Sequence, residues 1–400
     1  MHTQPLVVLA AGKGTRLMPL TAYRPKHLLR VYGKTIIEIT LENLRQYINN
    51  VIIVIGHQKE VFEQELGHEY NGIPIEYVIQ DEQKGTGHAL YAAREAVNGQ
   101  SFYAIYGDGI YMASHLESIA GSGQGIVGKR SDNWQSMGVL VQNEDGTLKE
   151  IHEKPETYVG NLVNIGVFHF GPDIFETFDE ITPSPRGEYE LTDMVSIYAR
   201  THQIQVGVTD ADWLEVSYPW NLLSVAEYLA PTIEHKIEGT IEENVVIKGK
   251  VTLGKNSVIK SGTYIEGDCV IGDNSEIGPN AYIRGFASIG NHCKVGSAVE
   301  IKNTILGDGS KVPHLSYIGD SVIGTNVNLS GGTITGNLRH DGQTIRSMVN
   351  GQLVDTGRTK FGTVVGDNAN TGIKTSIYPG RKIGADKTTL PGSVITEDID

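Results

Sequence analysis

Two cysteines in 400 residues leave no disulfide framework, so the fold must be held by burial and hydrogen bonding alone. Nowhere does an apolar run approach eighteen residues, so no membrane-spanning helix is expected. The start, MHTQPLVVLAAG, passes directly into a strand pattern without the layout of a secretory signal, and the expected location is the cytoplasm. Cations are scarce: 33 Lys and Arg face 47 Asp and Glu, a formal net charge of −14. That balance argues against a general nucleic-acid or membrane surface and leaves small molecules as the expected partners. A chain so acidic can bind phosphate only by gathering its few cations locally. Also missing are the Gly-Lys-Ser/Thr ending of a P-loop and the third glycine of GxGxxG.

Glycine, in contrast, is abundant at 48, as a chain full of tight turns requires. From Ile241 to Ile301 an aliphatic residue recurs at every sixth position: Ile241, Ile247, Leu253, Ile259, Ile265, Ile271, Ile277, Ile283, Ile289, Val295 and Ile301. A helix would space them by three and four, a strand by two. A period of six is the hexapeptide signature of a parallel β-helix, with three short strands to a coil of about eighteen residues. The residue four places after each aliphatic is small or modest in size, as at Ser257, Thr263, Cys269, Ala281 and Cys293, and is expected to point inward beside it. Both cysteines therefore read as core residues. After Ile301 the frame slips, residues 338–362 read as an insertion, and the period returns with Val365, Ile377, Ile383 and Ile395.

The first half alternates apolar runs with amphipathic segments. Strands are expected at 6–11, 51–55, 75–79 and 102–106, and helices at 36–49, 60–66 and 88–97, which together describe a doubly wound α/β domain. Ligands bind such folds at the carboxyl ends of the strands, where the Gly12–Gly14 loop, Gln80 and Asp108 fall. Residues 131–216 are richer in strand patterns, and the linker is expected at 231–239. The expected division is thus 1–230 and 240–400.

The run LAAGKGTRLMPLT, followed by RPKHLL and Gly33-Lys34, resembles the signature of the sugar-1-phosphate nucleotidylyltransferases. The resemblance implies a Rossmann-like nucleotidyltransferase domain in which Leu9, Ala10, Ala11, Gly12, Gly14, Gln80, Gly85, Thr86, Tyr106 and Gly107 contact the nucleotide. It further implies that Arg16 and Lys26 act on the reacting phosphates, and that Gly138, Glu153, Lys154 and Asn164 hold the sugar phosphate. Asp108 would be the principal Mg²⁺ ligand. Relatives carry a second metal ligand in a Trp-x-Asp-x-Gly stretch; here it reads Trp213-Leu214-Glu215-Val216-Ser217, which makes Glu215 the corresponding carboxylate, with Asn221 a further candidate nearby. Chemically the set is coherent. An anionic sugar phosphate needs no general base to attack the α-phosphorus of a nucleoside triphosphate, so positioning and charge neutralisation suffice.

In the ladder, Arg284 and Lys302 each follow a large aliphatic and lie eighteen residues apart, so they are expected to stack in successive coils. Neighbouring strands are about 4.8 Å apart, and two unpaired cations that close repel unless an anion lies between them. His314 falls at the frame slip. With Tyr317, Asn328 and Asn337 these residues resemble, spacing by spacing, the acetyltransferase half of the bifunctional enzymes that make UDP-N-acetylglucosamine, most closely in its archaeal form. That resemblance implies a left-handed β-helix and a homotrimer. His314 would be the general base toward glucosamine-1-phosphate, with Arg284, Lys302, Tyr317, Asn328 and Asn337 holding that substrate and Gly331 beside acetyl-CoA. Ile373 and Pro391 depart from the bacterial pattern, which has small residues there. Two readings of the whole chain stay open from sequence. One is a bifunctional uridylyl and acetyl transferase; the other is a glucose-1-phosphate uridylyl- or thymidylyltransferase with a structural or regulatory rod.

Overall fold

The computed structural model describes residues 3–56, 58–121 and 123–400. Two compact units emerge: Met1–Lys13 with Ile36–Glu215, and Gly14–Thr35 with Val216–Asp400. The second unit therefore includes the Gly14–Thr35 loop in addition to the rod.

The first unit is built on a mixed sheet. Strand Gln4–Leu9 lies in parallel register between Ile48–Ile55 and Phe102–Tyr106, and Ile73–Ile79 pairs outside Ile48–Ile55. Leu6, Val7, Val8 and Val51 through Ile55 are fully buried, which explains why these strands are continuous apolar runs with no alternation. On the far side of Phe102–Tyr106 the sheet turns antiparallel through Leu162–Phe170, which pairs with Gly125–Arg130 and Gly138–Gln142, and the last of these carries Leu148–Glu153 at the edge. The helix expected at 36–49 stops at Leu44, and residues from Ile48 onward join the next strand. The helix expected at 88–97 begins earlier, at Thr86, and breaks into Thr86–Ala92 and Arg94–Val97.

In the second unit the hexads form a left-handed parallel β-helix. Registered pairs run Ile247, Ile265, Ile283, Ile301 along one wall and Leu253, Ile271, Ile289, Leu306, Ile323, Val365, Ile383 along another. Each aliphatic from Leu253 to Ile301 is buried, as are Val251, Ser257, Thr263, Cys269, Ser275, Ala281, Ala287, Cys293 and Val299 beside them. Both cysteines are free and their thiols are pushed up to about 12, burial being the main cause. Ile241 is 38% exposed, because no coil precedes it to cover it. The rod starts before the hexad frame: Lys236–Ile237, within the stretch expected as linker, pairs with Thr252 and Leu253. The frame slip has a register cause. Ala287 pairs with Thr304, one residue short of a full coil, so Leu306 instead of residue 307 takes the buried place. The insertion folds as a hairpin, Arg346–Val349 against Gln352–Asp355. None of the helices among the described residues is long and apolar enough to cross a membrane.

Candidate functional sites

In the first unit the expected nucleotide residues other than Gly14, which belongs to the second, lie at or follow the carboxyl ends of the parallel strands. The N–H of Ala10 donates to the Val54 carbonyl (2.8 Å) and that of Gly107 to the Leu9 carbonyl (2.9 Å), which fixes the strand end from which Ala11 and Gly12 lead. Gln80 is buried; its amide donates to the Gly85 carbonyl at 3.1 Å and lies 2.9 Å from Nδ1 of His88. Gly85 has φ of 109°, and a Cβ there would come within 2.5 Å of the Tyr189 carbonyl. Thr86 accepts a hydrogen bond from the Leu191 N–H (3.0 Å), so its hydroxyl helps to seat the helix Leu191–Tyr198.

The sugar-phosphate candidates form a second group. Register pairs Gly138 with Glu153, and a Cβ at 138 would lie 3.1 Å from the Glu153 carboxylate. Lys154 and Arg186 each approach Glu153 at 3.7 Å, and Arg186 pairs with Glu190 at 2.7 Å. Glu153 is held above the usual carboxylate range, chiefly by burial, with Lys154 acting against it. Arg186 and Glu190 were not found from sequence; they lie far from the motif and carry no spacing signal. Asn164 is buried, and its side-chain oxygen accepts the Gly166 N–H at 2.8 Å. Gly166 has φ of 79°, and a Cβ would sit 2.2 Å from the Tyr106 ring. Gly166→Ala is therefore expected to destabilise the protein by about 2–4 kcal/mol, combining left-handed strain with overpacking. Urea unfolding checks this, and a change below about 0.5 kcal/mol would mean that Tyr106 moves aside freely.

Asp108 follows the strand end, and the short strand Leu214–Glu215 pairs with Gly109–Ile110 so that Glu215 faces Gly109. That register sets the Glu215 backbone against the residue that follows Asp108. Both carboxylates act on the buried Tyr111 phenol, which burial first and these charges next push well above its ordinary value. Gly109 is required here, because a Cβ would come within 2.6 Å of the Tyr111 hydroxyl. Two hard oxygen donors at a strand end fit Mg²⁺, which takes one or two carboxylates and leaves its other positions to substrate oxygens.

Arg16 and Lys26 belong to the second unit. Arg16 lies over the Tyr218 ring, 5.4 Å from its centre. Gly14, with φ of 66°, is backed by Thr21 and Lys26, whose Cβ a side chain at 14 would meet at 3.4 Å. Thr21 donates to the Gly14 carbonyl at 2.9 Å, which knits the two ends of this turn. The Asn221 side-chain oxygen accepts the N–H groups of Ser217 (3.2 Å) and Tyr218 (2.7 Å), so it serves the entry to helix Asn221–Leu229.

On the rod, Arg284 and Lys302 are register partners, as their spacing predicts. They are not unpaired, however. Arg284 donates to Glu300 at 2.6 Å, and the buried Lys302 donates to the buried Asp320 at 2.7 Å. The reason lies in the same coil period that stacks the cations: Glu300 and Asp320 come sixteen and eighteen residues later, one coil on. Asp320 also accepts from Asn303 (2.9 Å) and from Asn337, whose amide donates to the Tyr317 hydroxyl at 2.9 Å. Lys302, Tyr317 and Asn337 are thus tied into one polar cluster around Asp320, and the Arg284–Glu300 pair adjoins it in register; sequence did not supply Glu300 and Asp320. Tyr317 pairs in register with Glu300, and its phenol is raised by burial and by Asp320, while Asn337 and Arg284 oppose the rise.

His314 is exposed at the end of strand Lys311–His314, three residues before Tyr317. Its carbonyl accepts from Gly332 N–H (3.2 Å) and from Ser316 hydroxyl (2.7 Å). Lys374 N–H donates to the Gly331 carbonyl (2.9 Å) and Gly392 N–H to that of Ile373 (2.8 Å), so His314, Gly331 and Ile373 stand on successive coils at one corner. A Cβ at Gly331 would be 3.6 Å from that of His314. Asn328 stands elsewhere, in the row between Lys311 and Asn370, within 3.4 Å of Ser330. Among the described residues no group of three or more His, Cys, Asp or Glu side chains forms a metal cage.

Comparison with known proteins gives matches across both halves. The family described as Nucleotidyl transferase matches residues 6–230, and the GMPPB C-terminal domain matches residues 265–378. A "Bifunctional sugar-1-phosphate nucleotidylyltransferase/acetyltransferase" of Sulfurisphaera tokodaii is 39% identical over 399 residues, 98% of this chain and 97% of its own. A "Bifunctional protein GlmU" of Methanococcus aeolicus is 36% identical over 395 residues, 98% of this chain and 95% of its own. A crystal structure of UDP-glucose pyrophosphorylase with UDP-glucose covers 58% of this chain and all of its own with a TM-score of 0.53; at 22% identity it bears on the fold alone.

Proposed function

We propose a specific pair of reactions for this chain, which belongs to the nucleotidyl transferase family and, over nearly its full length, to the bifunctional sugar-1-phosphate nucleotidylyltransferase/acetyltransferases. The protein is a bifunctional uridylyl and acetyl transferase. The proposal concerns its substrates and residues: acetyl-CoA and glucosamine-1-phosphate at the rod, then UTP and N-acetylglucosamine-1-phosphate at the α/β fold, with release of pyrophosphate.

For uridylyl transfer, Gln80 and the Gly85-Thr86 turn face the pyrimidine, the Gly12–Gly14 amides cradle the phosphates, and Arg16 and Lys26 neutralise charge as the bond to pyrophosphate breaks. Gly138, Glu153, Lys154 and Asn164 hold the sugar phosphate, with Arg186 beside them. Asp108 and Glu215 would hold Mg²⁺, which supplies charge neutralisation at the triphosphate when bound. The register of Glu215 on Gly109 supports this pairing.

For acetyl transfer, the observation that carries the reading is the cluster of Arg284, Lys302, Tyr317 and Asn337 on the coils adjoining His314. An inert rod has no need of a buried Lys–Asp pair with three further side chains bonded around it. Arg284, half-exposed, meets the substrate phosphate; Lys302 and Asp320 hold Asn337 and Tyr317 toward the sugar. The corner of His314, Gly331 and Ile373 offers a line along which the pantetheine of acetyl-CoA lies. Leu315, Ile373 and Leu390 are 69%, 55% and 79% exposed, and apolar surface of that kind supports burial against further copies in a homotrimer.

An activity panel tests the substrates: glucosamine-, N-acetylglucosamine-, galactosamine- and glucose-1-phosphate with UTP or dTTP, with and without acetyl-CoA. The expected result is CoA release with glucosamine-1-phosphate and pyrophosphate release with UTP and N-acetylglucosamine-1-phosphate. Preference for glucose-1-phosphate or dTTP would overturn the substrate assignment.

A further inference from the structure

The loop Gly14–Thr35 carries Arg16 and Lys26, and it is anchored to the β-helix by several polar contacts. Arg24 donates to Asp367 Oδ2 at 2.8 Å and to the Thr325 hydroxyl at 2.8 Å, in a pair whose carboxylate is only 5% exposed. Tyr23 hydroxyl bonds Asp386, and Lys382 Nζ donates to the Met18 carbonyl at 3.1 Å. Pro19 packs so close to Gly366 that a Cβ at 366 would come within 2.9 Å of it. Further along, Tyr32 N–H donates to Ser288 hydroxyl at 2.7 Å. Leu17, Leu20, Leu28 and Leu29 are buried, so the loop is packed along its length as well as pinned at these points.

Asp367 is the centre of this arrangement and has two jobs, one for each oxygen. Its Oδ1 accepts the Thr325 N–H at 2.8 Å, a corner bond of the rod. The same bond recurs at earlier coils, where Asp273, Asn291 and Asp308 accept from the preceding coil at 2.7–2.8 Å. Asn291 shows that a carboxamide serves this corner as well as a carboxylate. What only the carboxylate supplies is the charge-assisted bond from Oδ2 to Arg24, a class roughly twice as strong as its neutral counterpart. Arg24 in turn is two residues from Lys26, separated from it by Pro25, whose fixed φ transmits position stiffly.

We propose that Asp367, a residue of the β-helix, is a positioning residue for nucleotidyl transfer: through Arg24 it holds the loop that presents Arg16 and Lys26. The proposal rests on the reading that those two cations act on the reacting phosphates. It implies that uridylyl transfer depends on the rod through a defined contact, and that a chain ending near residue 230 loses turnover even if it folds.

The test is Asp367→Asn in the full-length chain, with Lys26→Ala measured in parallel. Asparagine keeps the corner bond and removes the charge that Arg24 meets. Turnover of uridylyl transfer is expected to fall roughly ten- to a hundredfold, the scale of a small misplacement of a catalytic group. KM for UTP should change much less, because the groups that bind the base are untouched. Acetyl transfer should stay within about twofold, and amide hydrogen exchange of residues 14–35 should quicken while that of the rod core does not. Unchanged turnover in Asp367→Asn, with or without faster exchange, overturns the proposal. So does a parallel loss of acetyl transfer and core protection, which would make Asp367 merely a rod residue. Full turnover in Lys26→Ala would instead overturn the role of Lys26, and the effect of Asp367→Asn would then be read on Arg16.

Discussion

Alanine at His314 is expected to lower acetyl transfer to glucosamine-1-phosphate by roughly 10²–10⁴-fold, the contribution of a positioned acid–base group. The amine of the substrate is largely protonated near neutral pH and cannot attack a thioester in that form. A base must take a proton as the tetrahedral intermediate forms, and imidazole, with an ordinary pKa of about 6.5, suits that work. The corner that bears His314 is fixed by its main chain: its carbonyl accepts from Gly332 and Ser316, and Leu315 N–H donates to Ser297 at 3.1 Å. Because the side chain itself is exposed, alanine removes the imidazole without opening a cavity, and stability should change by less than about 0.5 kcal/mol. Pyrophosphate release from UTP with N-acetylglucosamine-1-phosphate is measured beside CoA release and should be unaffected. If the variant keeps full acetyl transfer, the base is another group, and Glu300, bonded to Arg284 and registered with Tyr317, is the next to replace.

The rod was legible because its period is set by one steric demand repeated in every coil. A single residue decides each inward position, so Ile241 through Ile301 declare the fold without reference to distant sequence. The same period placed Lys302 over Arg284. It hid their partners, since Glu300 and Asp320 look like ordinary surface acids until the coil turns them onto the cations. Ends were harder to read. Lys236–Ile237 joins the rod by hydrogen bonding alone, outside the hexad frame, and no spacing announces it. In the α/β half the strand cores could be read from their apolar runs, whereas the stop of the helix at Leu44 depends on tertiary pairing of Ile48–Ile55. Arg186 and Glu190 reach Glu153 through a loop far along the chain, and such contacts leave no local mark. The assignment of the Gly14–Thr35 loop to the second unit is of the same kind: Arg24 meets a carboxylate 343 residues away.

Asp108→Asn is expected to cut uridylyl transfer by about 10²–10³-fold, the loss seen when one preorganised charge-stabilising group is removed. Three features single this carboxylate out. It follows Gly107, whose N–H is held by the Leu9 carbonyl, so its backbone shares the rigidity of the central strands. Glu215 pairs in register with the adjoining Gly109, and both carboxylates are near enough to the buried Tyr111 phenol to add to the rise that burial chiefly causes. Finally, the next residue, Gly109, packs directly on Tyr111, where a Cβ would come within 2.6 Å of the ring and hydroxyl, so the backbone that follows Asp108 is closely held. Asparagine is nearly the same size and keeps an acceptor oxygen, so the fold should survive; what it lacks is the negative charge that a hard divalent cation requires. The measurement is pyrophosphate release across a Mg²⁺ titration. The variant should need more Mg²⁺ and still fall short at saturation, because a weaker ligand also leaves the triphosphate less well oriented in the transition state. Glu215→Gln should show a smaller loss of the same form. Chelation with EDTA should abolish uridylyl transfer in the wild type and spare CoA release, since no residue of the acetyl cluster is assigned to a metal. Near wild-type turnover of Asp108→Asn at saturating Mg²⁺ would move the principal ligand to Glu215 and reverse the order of the two carboxylates.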